Sequence, residues 1–156
     1  VSTIHREVFI DNDTGKRACR YNPDTTTKQV YEFWPSDLAQ VFRMAGIQHN
    51  TPPPFKADCS LNETSHLGVS PNVVSPGEQK RYLIRSDSLE SEQIPFVATV
   101  DADVTWLYWF VDNRFVGKAR RSEPLFWPAR VGGFNVRVID DLGRVGETQL
   151  VVEMIQ

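Results

Sequence analysis

A mainly β fold, an immunoglobulin-like antiparallel sandwich preceded by an extension carrying one short helix, is what this sequence predicts on three observations. The last third holds apolar alternating runs joined by Asn, Asp and Gly turns and separated by Leu125-Phe-Trp-Pro128, a compact all-β signature. Upstream of it, from about Leu67, short strand candidates follow one another at close intervals. The first sixty residues read differently, being rich in Thr, Asn, Asp and Pro.

In chain order, residues 11–28 are polar and turn-rich, and the Pro52-Pro-Pro54 run favours extended polyproline geometry over a helix or an inner strand. Between them, Leu38, Val41, Phe42 and Ala45 stand at i, i+3, i+4, i+7, which predicts one amphipathic helix over 35–45 with Pro35 in its first turn and Gly46 at its stop. This region is expected to lack a core of its own. Strands are then expected over 80–85, 93–100, 107–112, 114–117, 125–127, 134–140 and 147–155, with turns at Asp112-Asn113 and Asp141-Leu-Gly143, six or seven short strands of the kind a sandwich needs.

Face assignments follow from the alternation. Phe134, Val136 and Val138 against Asn135 and Arg137 predict one dry and one wet face. The 106–111 run is apolar on both: Leu107, Trp109 and Val111 on one side, Trp106, Tyr108 and Phe110 on the other. Trp109 is therefore expected inside the sandwich, with Tyr108 and Phe110 beneath the extension or at an interface. The apolar helix stripe and that apolar outer face are complementary, so the chain is expected to divide into a connector and extension, 1–64, packed on a sandwich, 65–156.

At 156 residues the chain is one ordinary domain with an extension, able to bury about two thirds of its unfolded surface. A net charge of −3 with scattered basic residues gives no field that would draw nucleic acid. No apolar run approaches the roughly 18 residues that a membrane span requires. Starting at Val1 without a Met or a leader, it reads as an excised soluble piece of a longer protein. Cys19 and Cys59, 40 positions apart, form neither a redox CxxC nor a zinc pattern; two separate buried thiols and one disulfide are both open on spacing alone.

Catalytic and cofactor chemistry is not encoded in any recognisable pattern. No Ser-x-x-Lys and no Lys-Thr-Gly occurs, so acyl-enzyme chemistry lacks its nucleophile and base; Ser70-Pro71-Asn72 and Thr14-Gly15-Lys16 are chance echoes. His5, His49 and His66 are widely separated and no metal site is expected. Asp11-Asn-Asp-Thr-Gly15 lacks the sixth-position Gly and the closing acid of an EF-hand and predicts a side-chain-stabilised turn. Asp101 with Asp103, and Asp140 with Asp141, are assigned to turns rather than to acid–base pairs. What remains is surface: Phe115, Lys118, Arg120, Arg121, Phe126 and Trp127 gather cations and aromatics on or beside a basic loop, 118–123, a composition suited to a protein partner or to stacking on sugar rings. Against it, Trp127 beside Pro128 is equally a packing residue.

Several pieces, in order, also resemble the C-terminal end of the penicillin-binding protein 1C family of bifunctional peptidoglycan glycosyltransferase/transpeptidases: Asp13-Thr-Gly-Lys-Arg-Ala-Cys19, Phe33-Trp-Pro-Ser-Asp-Leu38, Ala45-Gly46, Pro52-Pro-Pro54 before Cys59, Leu107-Tyr-Trp-Phe-Val-Asp112, Trp127-Pro128 and Val138-Ile-Asp-Asp-Leu-Gly-Arg144. The chain departs from that pattern at Asn113, where the family has Gly, and in its basic 118–123 segment. The resemblance implies a non-catalytic immunoglobulin-like module and a Cys19–Cys59 disulfide stapling the extension, which in turn requires an oxidising compartment. It implies a place on the periplasmic face of the inner membrane of a Gram-negative bacterium, with the membrane anchor and both catalytic domains upstream. It further implies recruitment or orientation of a periplasmic protein, a bacterial α2-macroglobulin among the family's associations, or of peptidoglycan, without a cofactor. The rival reading from another class is a free-standing carbohydrate-binding or adhesive module; a hydrolase has the least support.

Overall fold

A computed structural model describes residues 4–47, 51–78 and 80–156. Its strands are β1 (His5–Asp11), β2 (Arg17–Ala18), β3 (Thr26–Glu32), β4 (Asn72–Ser75), β5 (Arg81–Arg85), β6 (Gln93–Thr99), β7 (Trp106–Val111), β8 (Arg114–Arg120), β9 (Leu125–Pro128), β10 (Gly132–Asp140) and β11 (Val145–Ile155), with helices α1 (Ser36–Met44) and α2 (Leu61–Thr64). A five-stranded sheet, β5-β11-β10-β7-β8, and a three-stranded sheet, β4-β6-β9, make the sandwich. The expected antiparallel immunoglobulin-like architecture is present with one variation. Because the chain changes sheets between β4 and β5, β5 arrives parallel to β11.

The period-2 patterns produce the core directly. Leu107, Trp109 and Val111 point inward from β7, Val136 and Val138 from β10, Leu150 and Val152 from β11, and Ile94, Phe96 and Ala98 from β6. Trp109 is fully buried as expected, its ring centroid 5.3 Å from that of Phe96. Phe96 stacks at 5.7 Å on Trp127, which meets Phe134 edge-on at 5.0 Å. At the β7–β8 hairpin Asp112 and Asn113 have φ of 48° and 67°, the left-handed pair that a two-residue type I′ turn requires. Asn tolerates that region well among non-Gly residues, so the departure at Asn113 leaves the turn intact.

In the extension three expectations fail. It has the beginnings of a core: β2-β1-β3 form a sheet, and Val8, Ile10 and Phe33 close a small core with Ala102 of the sandwich. Helix α1 ends as expected, with Gly46 at φ 74°; Ile47 N donates to Phe42 O at 2.8 Å and Gly46 N to Arg43 O at 3.1 Å, a Schellman closure. Its apolar stripe, however, faces outward. Leu38 and Val41 are exposed, and the buried face is the small one, Ser36 and Ala39. The cause is a close backbone approach: Ser36 N donates to Val100 O at 2.9 Å and Val100 N donates to Ser36 Oγ at 3.0 Å. Nor, among the described residues, does an element of the extension pack along β7, the strand of Tyr108 and Phe110. It sits on the end of the sandwich, against the turn that holds Asp101 and Asp103.

Cys19 and Cys59 are bonded, Cα atoms 6.0 Å apart, tying the start of the extension to the segment before α2. There Ser60 caps the helix, its Oγ accepting from Glu63 N at 3.2 Å while Glu63 Oε1 accepts from Ser60 Oγ. At the Asp11 turn, Thr14 N and Oγ1 both donate to Asp11 Oδ2. The turn expected there is present, and the Thr14 hydroxyl and amide, together with Lys56, hold that carboxyl below its ordinary range despite an opposing burial effect.

Candidate functional site

Where extension and sandwich meet, three arginines and three aspartates are interleaved. Arg144, buried at 2% exposure, donates through Nε to Asp140 Oδ2 at 2.7 Å, through Nη2 to Asp103 Oδ1 at 2.7 Å, and through Nη1 to Leu67 O at 3.1 Å. Asp101 Oδ2 lies 3.4 Å from Arg144 Nη1 and accepts from Arg6 Nη1 at 2.6 Å, while Asp103 accepts from Arg17 at 3.1 Å. Both arginines of the extension also cover aromatic faces: Arg17 lies 3.8 Å over Phe55 and Arg6 4.5 Å over Phe33. Charges of both signs cancel within the cluster, which is what permits their burial.

Electrostatic tuning follows the contacts. Burial alone would raise the Asp101 carboxyl, but hydrogen bonds from Arg6, Ala102 and Val69 hold it below its usual value. Burial likewise disfavours the Arg144 charge, and Asp103 and Asp140 more than restore it. Gly68 belongs to the same assembly: at φ 74° it is left-handed, and a methyl there would overlap the Arg144 guanidinium and lie 2.8 Å from Asp101 Oδ2. Asp101, Asp103 and Asp140 therefore do more than shape turns. Asp140 combines both jobs, also accepting from Leu142 N and Arg144 N. Each of these three carboxylates is met by arginine, so the cluster ties extension to sandwich as an ionic lock.

The outer face of the five-stranded sheet has a different character. Trp106, Tyr108 and Phe110 alternate along β7, half-buried, and among the described residues only β8 and β10 pack along that strand. Across the ladder Trp106 pairs with Arg120, Tyr108 with Lys118 and Phe110 with Phe115, a bulge at Val116 restoring register. Lys118 Nζ lies 4.7 Å and the Arg120 guanidinium 4.9 Å from the Trp106 ring centroid. On the other flank Arg137 pairs with Phe110 across β10 and is itself bonded to Glu147 of β11.

The six residues expected to form one surface are thus divided among four places. Phe115, Lys118 and Arg120 join the β7 aromatics, because 118–120 is strand rather than loop. Arg121 is half-buried at the junction, where Nη1 donates to Ala102 O at 2.9 Å. Phe126, 56% exposed, lies on the opposite sheet, and Trp127 is core at 4%. Trp106, Tyr108 and Arg137 complete the face and were not among the six; the two-sided apolar run of β7 was the signal for the first two. His5 and His66 are exposed, and His49 lies outside the described residues. Among the described residues no group of three or more His, Cys, Asp or Glu side chains is placed to hold a metal ion, and no helix is long and apolar enough to cross a membrane.

Two solved structures share the sandwich in part. Fibronectin(III)-like modules of Clostridium thermocellum CbhA align over 55% of this chain and 99% of theirs at 16% identity and TM-score 0.43. The Bacteroides ovatus mixed-linkage glucan utilization locus protein SGBP-B, solved in complex with a mixed-linkage heptasaccharide, aligns over 56% of this chain and 25% of its own at 16% identity and TM-score 0.38. No curated protein matches the sequence. The Penicillin-Binding Protein C-terminus Family matches residues 61–151, a span from α2 into β11 that contains the whole β7–β8–β10 face and the Asp101, Asp103, Asp140 and Arg144 side of the lock. The match takes in more than half of the chain, and the chain belongs to the penicillin-binding protein C-terminus family.

Proposed function

We propose that the module is non-catalytic and holds a bifunctional cell-wall synthase against peptidoglycan at the periplasmic face of the inner membrane, the anchor and catalytic domains lying in the rest of the parent protein. The observation behind this reading is the aromatic and cationic outer face of β7 and β8. Aromatic side chains at i, i+2 and i+4 of a strand stand about 7 Å apart, a ladder on which sugar rings stack, and Lys118 and Arg120 beside Trp106 offer cations to the carboxylates of a cell-wall polymer. The match to a C-terminal family of penicillin-binding proteins favours this over a free-standing carbohydrate-binding or adhesive module.

A second reading uses the same face. Phe110 and Phe115 meet edge-on at 5.6 Å, and Phe115 is 57% exposed, apolar area that a protein partner would bury; the family resemblance makes a bacterial α2-macroglobulin the candidate. Sedimentation with purified sacculi separates the two. If the glycan reading holds, the Lys118→Glu, Arg120→Glu double variant melts as the parent does and binds sacculi about tenfold or more weakly, most visibly at low salt. Unchanged sedimentation would defeat it, and loss of binding to the macroglobulin alone would assign the face to the protein.

A further inference from the structure

A groove of about 990 Å³ runs between β3 and α1, lined by four consecutive strand residues, Gln29 to Glu32, by Ala39, Arg43 and Ile47 of the helix side, and by Arg121 of the sandwich. Consecutive residues along a wall mean that the strand presents its edge there and not one face. The sheet order agrees: β3 has β1 on one side and, among the described residues, no strand on the other. An edge of this kind carries a row of backbone donors and acceptors open to pairing. Val30, 64% exposed, and Ile47, 53% exposed, supply apolar contacts beside it.

Among the described residues, the groove's lining carries two arginines, Arg43 and Arg121, against one carboxylate, Glu32. A second hollow of about 340 Å³ continues from it past Pro52, Pro53 and Pro54 to Arg120, and the two share Arg43, Thr51 and Arg121. Carboxylates among the lining residues are already engaged. Glu32 accepts from Trp34 Nε1 at 3.0 Å and lies 3.4 Å from His5 Nε2, and Asp103 is held by Arg17 and Arg144. Arg43 has no ion-pair partner among the described residues, and Arg121 spends only Nη1 on Ala102 O. Burial first, and the nearby Arg43 charge second, weaken the hold of Arg121 on its proton, and Asp103 and Asp141 offset them only in part; an anion between the two guanidiniums would offset the Arg43 repulsion.

We infer that this groove takes an extended acidic segment of a protein partner, which adds as a strand to the free edge of β3 and sets carboxylates against Arg43 and Arg121. Four strand residues give roughly 13 Å of ladder, enough for two side chains facing the arginines. The second hollow reaches Arg120 of the β7 face, but the edge of β3 and the Arg43–Arg121 pair lie outside that face.

The test uses residues 1–156 and a fluorescein-labelled octapeptide alternating Glu with Val, beside a Gln-for-Glu counterpart and two versions N-methylated at odd or at even amides. Fluorescence anisotropy is expected to show the acidic peptide binding about tenfold or more tightly than the Gln peptide, the scale of one charge-assisted hydrogen bond. Arg43→Glu, on the exposed side of α1, is expected to erase that preference without changing the melting temperature, and one of the two methylation registers to abolish binding. Amide shifts in NMR spectra are expected at Gln29 to Glu32. No binding, equal binding of the Gln peptide, an unaffected Arg43→Glu variant, shifts centred on Trp106 to Phe110, or equal competition by soluble muropeptides would each overturn the assignment.

Discussion

The sandwich and the extension solve the same problem, holding a sheet together, with different forces. In the sandwich fifteen buried apolar residues, Trp109 and Phe96 at their centre, form one continuous core; the extension's core has Val8, Ile10 and Phe33, completed only by Ala102 from the sandwich. What the extension lacks in buried area it recovers from a covalent bond, Cys19–Cys59, and from an ionic lock, Arg6 and Arg17 on Asp101 and Asp103. The two parts therefore depend on different variables. Temperature and core volume govern the sandwich, redox state and acidity the extension.

Trp109→Ala strikes the sandwich core at its centre. Removing a fully buried indole from among Phe96 and its neighbours is expected to cost about 3 to 5 kcal/mol, measured by urea unfolding of the whole chain, or to prevent folding. A stable Trp109→Ala protein would mean that the apolar core does not dominate. Next in size is reduction of Cys19–Cys59. The loop-entropy relation gives about 4 kcal/mol for a loop of this length, but the loss should fall on the extension: after reduction, amides of β1 and β3 are expected to exchange faster while those of β7 and β10 keep their protection. Uniform acceleration would show that the two regions unfold as one.

The same contrast decides what could be read from sequence. The strands of the sandwich announce themselves, since alternation in 134–140 and the two-sided apolar run at 106–111 follow from burial, and burial is what periodicity records. β1 and β3 do not: Thr26 to Glu32 is exposed over most of its length, and what makes it a strand is a ladder to β1, a backbone property with little side-chain signature. For α1 the stripe was legible but its use was not. Leu38 and Val41 have the spacing of a buried face, yet the two hydrogen bonds between Ser36 and Val100 choose the small face, and nothing local in the sequence announces a partner 64 positions away. The β4 strand, four residues after Pro71, is too short to show a period. For the site, chain proximity misled. Residues 115–127 are neighbours in sequence, but strand alternation sends Lys118 and Arg120 outward and Trp127 inward, and β9 lies in the other sheet.

The smallest expected effect is acid release of the extension, and its sign follows from Asp101. Its folded carboxyl is held below the ordinary value near 3.9 by Arg6 and by the Ala102 and Val69 amides, against the effect of burial. A depressed carboxylate contributes stability that is fully present above its unfolded value and is lost as pH falls through the folded one, so the contribution disappears below about pH 4. Protonation removes the charge that justifies burying Arg6 and Arg144 at this junction, whereas the apolar core around Trp109 has no group that titrates there. Hydrogen exchange followed from pH 5 to pH 2, corrected for the intrinsic pH dependence of exchange, is therefore expected to show β1 and β3 losing protection before β7, β10 and β11. An Arg6→Met variant, which leaves Asp101 without its shortest ion pair, should move that loss to higher pH. Simultaneous loss in both regions, or an Arg6→Met midpoint that does not move, would mean that the ionic lock does not join extension to sandwich and that the small Val8, Ile10 and Phe33 core alone holds them together.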